Sequence, residues 1–274
     1  MISRRAFFKS GVLLGGALML EGFVIEPRKI KVEEVPVKIK GLAPEFNNFT
    51  ICQITDIHHS PIVGLEYIDN VVKTANNLKP DLTVLTGDYI DEEKKYMEPV
   101  IKSLSSLKAK HGIISILGNH DHFIGKEYAA KVIESHNIPL LENAHRLIEK
   151  GGSALCIAGV KDFWEDSPDI ALALKGVDRE IPRVVLSHHP DYSEFVSKQE
   201  RVDLVLSGHT HGGQVRLPFG YAPIVPSSYG QKYSGGLVQN GESQTYVSRG
   251  VGVVMIPVRI NCPPELTLIR LIAA

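Results

Sequence analysis

The sequence has few cysteines, almost no net charge and no long apolar run, and each shortage closes off a class of function. Only three cysteines occur in 274 residues, at Cys52, Cys156 and Cys262, far apart and in or beside apolar stretches. That pattern reads as buried, unpaired thiols, so neither a disulfide framework nor a thiolate metal cluster is expected. The net charge is -1. No basic face is offered to nucleic acid, and no acidic tail is present. The apolar run near the start spans about ten residues, short of the ~20 that cross a bilayer. There is no repeat of fixed period and no low-complexity tract. What the sequence does hold is histidine, eleven in all.

The first residues read as a separate unit. "SRRAFFK" leads into "SGVLLGGALML", which glycines interrupt and Glu21 closes. A basic patch before a short apolar segment is the layout of an export signal. The paired Arg4 and Arg5, with Ser3 before them and Phe7, Phe8 and Lys9 after, resemble a bacterial twin-arginine signal. Ala17, two residues after Gly15, is a weak cleavage candidate, and no nearby cysteine offers a lipoprotein anchor. Residues 1–25 are therefore expected to be a signal or membrane-associating segment. Residues 26–47 are expected to be a linker running into an edge strand, because Pro36 is unsuited to a central one. Residues 48–274 form the expected single domain.

Along that domain, short β-branched runs end abruptly in polar residues, and a helical pattern usually follows. "FTICQITDIHH", "DLTVLTGDYID", "GIISILGNHD", "ALCIAGVKDFW", "RVVLSHHP" and "DLVLSGHTHGG" read as strands. Helices are expected around 64–80, 94–110 and 127–136, the first from the spacing of Leu65, Ile68, Val71, Val72 and Ala75. After Gln214 only strands are expected. The alternation predicts an α/β layered fold, with a second sheet implied by the all-strand end.

Five of these strand ends carry possible ligands: Asp56 with His58, Asp88 with Asp91, Asn119 with His120 and Asp121, His188 with His189, and His209 with His211. One such group alone is a helix cap or a core histidine more often than a site. Five in one structural setting point to convergence at the carboxyl ends of a sheet. Imidazoles, carboxylates and one amide suit Mn, Fe, Zn or Co. There are too many groups for one ion and enough for two that share a carboxylate. Two Asp carboxylates leave positive charge uncompensated, which favours a hydroxide and an anionic substrate. The glycines around His209 and His211 would let a substrate or backbone come close.

The pieces "DIH", "GDYID", "GNHD", "SHHP" and "GHTHGG" occur in the order of the calcineurin-like metallophosphoesterases, which the chain resembles from about Asn48 onward. "GHTHGGQ" and "RINCPPELTLIRL" are similar to the bacterial exported or membrane-associated branch of phosphodiesterases and relatives acting on UDP-diacylglucosamine. The resemblance implies a four-layer αββα sandwich of two mixed sheets flanked by helices. It implies Asp56, His58 and His211 on one divalent ion, Asn119, His188 and His209 on a second, and Asp88 between them, with Mn favoured. A metal-bridging hydroxide would attack phosphorus, His120 would assist the leaving group, and Asp91 would orient His120. His59, His122 and His189 read as neighbours of the ligands, and Arg249 as either a phosphate partner or a surface arginine. Protein Ser/Thr phosphatases carry Arg-Gly after the second Asp; Glu92 and Glu93 stand here, which argues against that activity.

The expected substrate is a phosphoester or pyrophosphate, lipid-linked or nucleotide-containing. Phe123, Ile124, Phe163, Trp164 and the segment "LPFGYAPIVPSSYGQKY" could wall it. The alternatives are a phosphomonoesterase of broad specificity and a catalytically silent metal-binding module. Silent members lose His120 or several ligands, all of which are present. The expected setting is the periplasm or cell envelope, reached through the twin-arginine machinery and close to a membrane surface.

Overall fold

A computed structural model describes residue 16 and residues 19–274; the twin-arginine-like stretch Ser3–Lys9 and Ala17 lie outside the described residues. Eleven strands form two mixed sheets. In the first, β1 (Lys31–Ile39) lies at the edge beside β11 (Glu265–Ala273), followed by β2 (Thr50–Ile54), β3 (Leu82–Thr86) and β4 (Ile113–Ile116). β11 runs antiparallel to β2, and the other neighbours are parallel. The second sheet runs β5 (Ala144–Lys150), β6 (Ser153–Gly159), β7 (Arg183–Leu186), β8 (Leu204–Ser207), β10 (Ser243–Val247) and β9 (Gly236–Asn240). Its four middle strands are parallel, and its two edge strands pair antiparallel.

Strand alternation sorts the apolar residues into three layers of core. Ile51, Leu82 and Val84 from the first sheet meet Val184, Leu186, Leu204 and Leu206 from the second. The opposite faces of the same strands look outward. Cys52, Ile54 and Leu85 pack under α1 (Leu65–Asn77), α2 (Met97–Leu104) and α4 (Lys126–Ser135). Cys156, Val185 and Val205 pack under α5 (Ile170–Ala173) and α6 (Ser193–Gln199). The result is the four-layer αββα sandwich. Each fully buried Leu or Ile contributes about 1.5–3 kcal/mol relative to exposure. All three cysteines are buried and free.

Pro36 sits in β1, on the sheet edge, where a missing N–H costs little. The edge strand takes up much of residues 26–47, and the rest is packed on the body. Nine of them are in β1, Phe46 is fully buried, and the buried Glu26 carboxylate accepts the N–H groups of Asn261 and Cys262. The expected helix at 94–110 is shorter, a single 3-10 turn at Lys94–Tyr96 and then α2. A short helix, α3 (Asn119–Phe123), follows β4 directly.

Candidate metal centre

All the ligand-type groups gather where the parallel strands of both sheets end. Asp56 and His58 follow β2, Asp88 follows β3, and Asn119 opens α3 after β4. His188 follows β7, and His209 and His211 follow β8. Every one of the seven is buried. Five have left-handed backbone: Asp56 (φ 52°), His58 (48°), Asp88 (56°), His209 (68°) and His211 (52°). Such a conformation costs about 1–3 kcal/mol at each residue and persists only where neighbours enforce it. Hydrogen bonds between the strand ends do so here. The N–H groups of Ile57 and His58 donate to the Asp88 carbonyl, Asp56 N–H to Gly87, and Gly208 N–H to His188.

The two sheets are tied to one another at this level. Gln53 Nε2 donates to Thr86 Oγ1 and to the Ser207 carbonyl, both at 3.0 Å, so it joins β2 and β3 to β8. The His209 N–H donates to Asp56 Oδ1 at 2.8 Å. Two glycines make the close approach feasible. A Cβ on Gly208 would lie 2.1 Å from Asp56 Oδ2, and one on Gly118 would lie 2.3 Å from Asp88 Oδ1.

Among these side chains Asn119 Oδ1 and His209 Nε2 are buried without a hydrogen bond. An orphaned buried polar atom costs about 1–3 kcal/mol, so such atoms beside buried imidazoles and carboxylates call for an occupant. His58 Nε2 and His211 Nε2 are 3.0 Å apart, with Asp56 Oδ1 at 3.3 Å from the latter and Asp88 Oδ2 at 3.5 Å from the former. Two imidazole nitrogens that share an ion at ~2.0–2.1 Å stand about that far apart. Asp56, His58 and His211 could hold one cation, and Asp56, Asp88 and His188 also cluster within metal-binding reach. The donor set, nitrogen and oxygen without thiolate, suits a divalent ion of borderline or hard character.

The calcineurin-like phosphoesterase family model matches residues 49–213, the span that contains every one of these groups. The chain belongs to the calcineurin-like phosphoesterases. It is a metallophosphoesterase, and so a hydrolase. An uncharacterized metallophosphoesterase of Bacillus subtilis, YkuE, is 35% identical over 281 residues, covering 98% of each chain. The Escherichia coli phosphodiesterase YaeI is 33% identical over 228 residues, with 82% of each chain covered. Among solved structures, a putative 5'-nucleotidase from Staphylococcus aureus superposes with a TM-score of 0.50 at 13% identity, over 82% of this chain and 54% of that one. That last likeness concerns the fold alone.

In this metallophosphoesterase, burial sets the ligands' protonation. It drives His58 down to about 3 and holds His209 and His211 well below the usual imidazole range, so all three stay neutral, as metal ligands must. Burial pushes the Asp56 carboxyl up to about 6, with the Asp88 charge adding to it. Burial also opposes a charge on His188, but the Asp88 carboxylate at 3.1 Å outweighs it and raises that imidazole to about 10. Its Nδ1 is 2.8 Å from the Thr86 carbonyl, which fixes the ring with Nε2 facing inward.

His120 lies half-buried beside these groups, its ring edge-on to His58 at 4.6 Å. Its Nδ1 is 2.6 Å from the backbone carbonyl of Asp91, whereas the Asp91 carboxylate is 3.6 Å away. The main chain of Asp91, more than its side chain, sets the ring. Asp121 is a brace rather than a ligand: its carboxylate accepts the N–H groups of Asp88, Tyr89 and Gly118 at 2.9 Å each.

Several residues have roles that motif spacing alone does not assign. His189 is buried, with Nε2 3.2 Å from Asp162 Oδ2 and its ring 3.8 Å from that of His209. Trp164 closes over both rings, at 4.3 and 4.4 Å. Asp162 was not singled out from the sequence; the only signal was an Asp just past β6, in register with the other strand ends. His59 Nδ1 faces the Val63 carbonyl and His122 Nδ1 the Gly118 carbonyl, so both support local turns. Arg249 is neither a phosphate partner nor a loose surface residue, since Glu33 at 2.7 Å and Glu265 at 2.9 Å neutralise it. The glycines after His211 do not form an open floor. A Cβ on Gly212 would meet Cys262 Sγ at 2.6 Å, and one on Gly213 would meet Ala222 and Ile224 at 2.6 Å, so the chain itself fills that space.

Proposed function

We propose that the protein hydrolyses a phosphodiester or pyrophosphate with two divalent ions, Mn favoured; the observation that carries this reading is the convergence of the buried His58 and His211 Nε2 atoms, 3.0 Å apart, with the Asp56 and Asp88 carboxylates. Asp56, His58 and His211 would hold one ion; Asn119, His188 and His209 would hold the other; Asp88 would serve both. When bound, such a pair draws a nucleophile from water near neutral pH and offsets charge on the phosphoryl group. The chain's own contribution is positional. The left-handed strand ends fix the ligands before substrate arrives, so little reorganisation is needed during reaction. His120, turned by the Asp91 carbonyl, leaves Nε2 free to hand a proton to the departing oxygen.

Two exposed rings frame the place a leaving group would occupy. Phe123 packs on His120 at 4.8 Å, and Trp164 packs on His209. Both are about half exposed, which favours an ester whose leaving group is a ring or an acyl chain, nucleotide-containing or lipid-linked. The twin-arginine-like start supports export to the periplasm or cell envelope, where such esters occur. The test is hydrolysis of bis(p-nitrophenyl) phosphate by Mn-loaded protein beside p-nitrophenyl phosphate. Turnover of the diester, lost in His120→Ala with metal retained, supports the reading. Turnover of the monoester alone would favour the broad phosphomonoesterase, and turnover of neither would sink both.

A further inference from the structure

Twelve of the twenty large apolar side chains that stand exposed among the described residues fall in four short stretches: 19–25, Ile62, 217–224 and 255–256. These stretches adjoin. The Arg259 N–H donates to the Gly22 carbonyl at 2.9 Å, and the Arg216 N–H to that of Ile260 at 2.8 Å. Gln214 Nε2 donates to the carbonyls of Val254 and Ile256, and its Oε1 receives the Val254 N–H. Phe23, Ile62, Val253 and Pro257 line one shallow groove between them. Contiguous apolar surface of this kind marks a docking site.

The tips decide what docks. Phe219 is as exposed as a free side chain, at 107%, and Met255 is 92% exposed. Both are in left-handed backbone, φ 69° and 59°. Bulky residues rarely take that conformation, and here no packing inside the protein compensates for it. They project as convex points rather than lining a hollow, the shape that enters a lipid layer and the opposite of a groove for a helix or strand. Arg28 and Lys29 are exposed at the border, against Glu21, and suit anionic headgroups. In sequence, the apolar stretch Gly11–Leu20 immediately precedes residues 21–25. Among the described residues no helix is long and apolar enough to cross a membrane.

We propose that the loops 217–224 and 254–258 dock the protein on a bilayer surface, with Phe219 and Met255 inserted among the lipids. The metal centre would then sit at the lipid–water boundary. The first loop begins six residues after His211, and a Cβ on Gly252, two residues before the second, would lie 2.1 Å from the Ile57 carbonyl. That the docked enzyme acts on headgroup phosphoesters rests on the phosphoesterase reading; docking itself does not.

The test uses the full chain and vesicles of phosphatidylglycerol or phosphatidylcholine. Phe219→Trp and Met255→Trp should each show a blue-shifted emission on adding vesicles, above the constant signal of Trp164. The shift should be larger with phosphatidylglycerol. Leu172→Trp, exposed on α5 away from these loops, should show none. The double variant Phe219→Glu/Met255→Glu should partition onto vesicles at least ~10-fold more weakly, with bound metal and urea stability unchanged. Vesicle binding without a shift at either loop would place attachment on the N-terminal stretch alone and overturn the proposal. Absence of binding would overturn it too, as would a Trp shift that sedimentation traces to dimers formed without lipid.

Discussion

His211 and Phe219 belong to one continuous segment, yet they break the folding rule in opposite senses. At His211 and its neighbours, polar atoms are buried without hydrogen-bond partners. At Phe219 and Met255, large apolar side chains are held out in solvent. Both regions carry left-handed backbone at residues that avoid it. Neither arrangement lowers the energy of the isolated chain. Departures of this kind concentrate where something else completes the structure. The partners we propose are a pair of cations for the buried region and a lipid surface for the exposed one.

The comparison breaks most sharply at Asp88. Asp88→Asn removes the charge the two ions would share and should cut diester hydrolysis by ~10³-fold or more, on the upper scale of removing one fixed electrostatic group. His120→Ala should cost about 10²–10⁴-fold in kcat while bound metal, measured by elemental analysis, stays as in the parent. A loss of metal in that variant would move His120 among the ligands. Asp162→Asn loosens His189, which packs on His209, and should weaken metal binding by about 10–100-fold in competition with a chelator. Unchanged affinity would reduce the His189–Asp162 pair to packing. Phe219→Glu should leave metal content and chelator-competed affinity as in the parent, which separates the two regions directly.

The smallest effect lies away from both. Burial alone would raise the Asp81 carboxyl, but Lys110 at 2.8 Å and the N–H and hydroxyl of Thr50 outweigh it and hold it below the ordinary range. Its pKa is lower folded than unfolded, so its stabilisation is present above about pH 4 and is lost as pH falls through the folded value. Asp81→Asn should therefore destabilise by about 1 kcal/mol at pH 7 and less at pH 3. Equal loss at both values, by urea unfolding, would contradict that.

The metal centre was legible in the sequence because its ligands sit at fixed offsets after apolar runs, and a strand end converts offset into position. Asp56, His58 and Asp88 could be placed that way before any fold was known. Gln53 could not, because its bridge to the Ser207 carbonyl crosses between sheets, and strand order across sheets leaves no local trace. Asp162 faces His189 because β6 and β7 are neighbours in one sheet, a pairing that local sequence does not record. The edge strand within residues 26–47 was legible from Pro36, but its length and its partner were not, because β1 is completed by β11, more than two hundred residues later. That chain rather than substrate approaches the glycines after His211 could not be read, since their neighbours, Cys262 and Ala222, come from distant or looped-back chain. Exposed apolar tips are the least legible: in sequence, Phe219 and Met255 look like ordinary core residues.

The most direct measurement is the metal content of the full chain after loading with Mn(II) and desalting, in the parent and in Asp88→Asn. About two ions per parent chain, falling to one or fewer in the variant, is the expected result for a shared carboxylate. Less than one ion per parent chain, or two retained in the variant, would contradict a dinuclear centre built on Asp88.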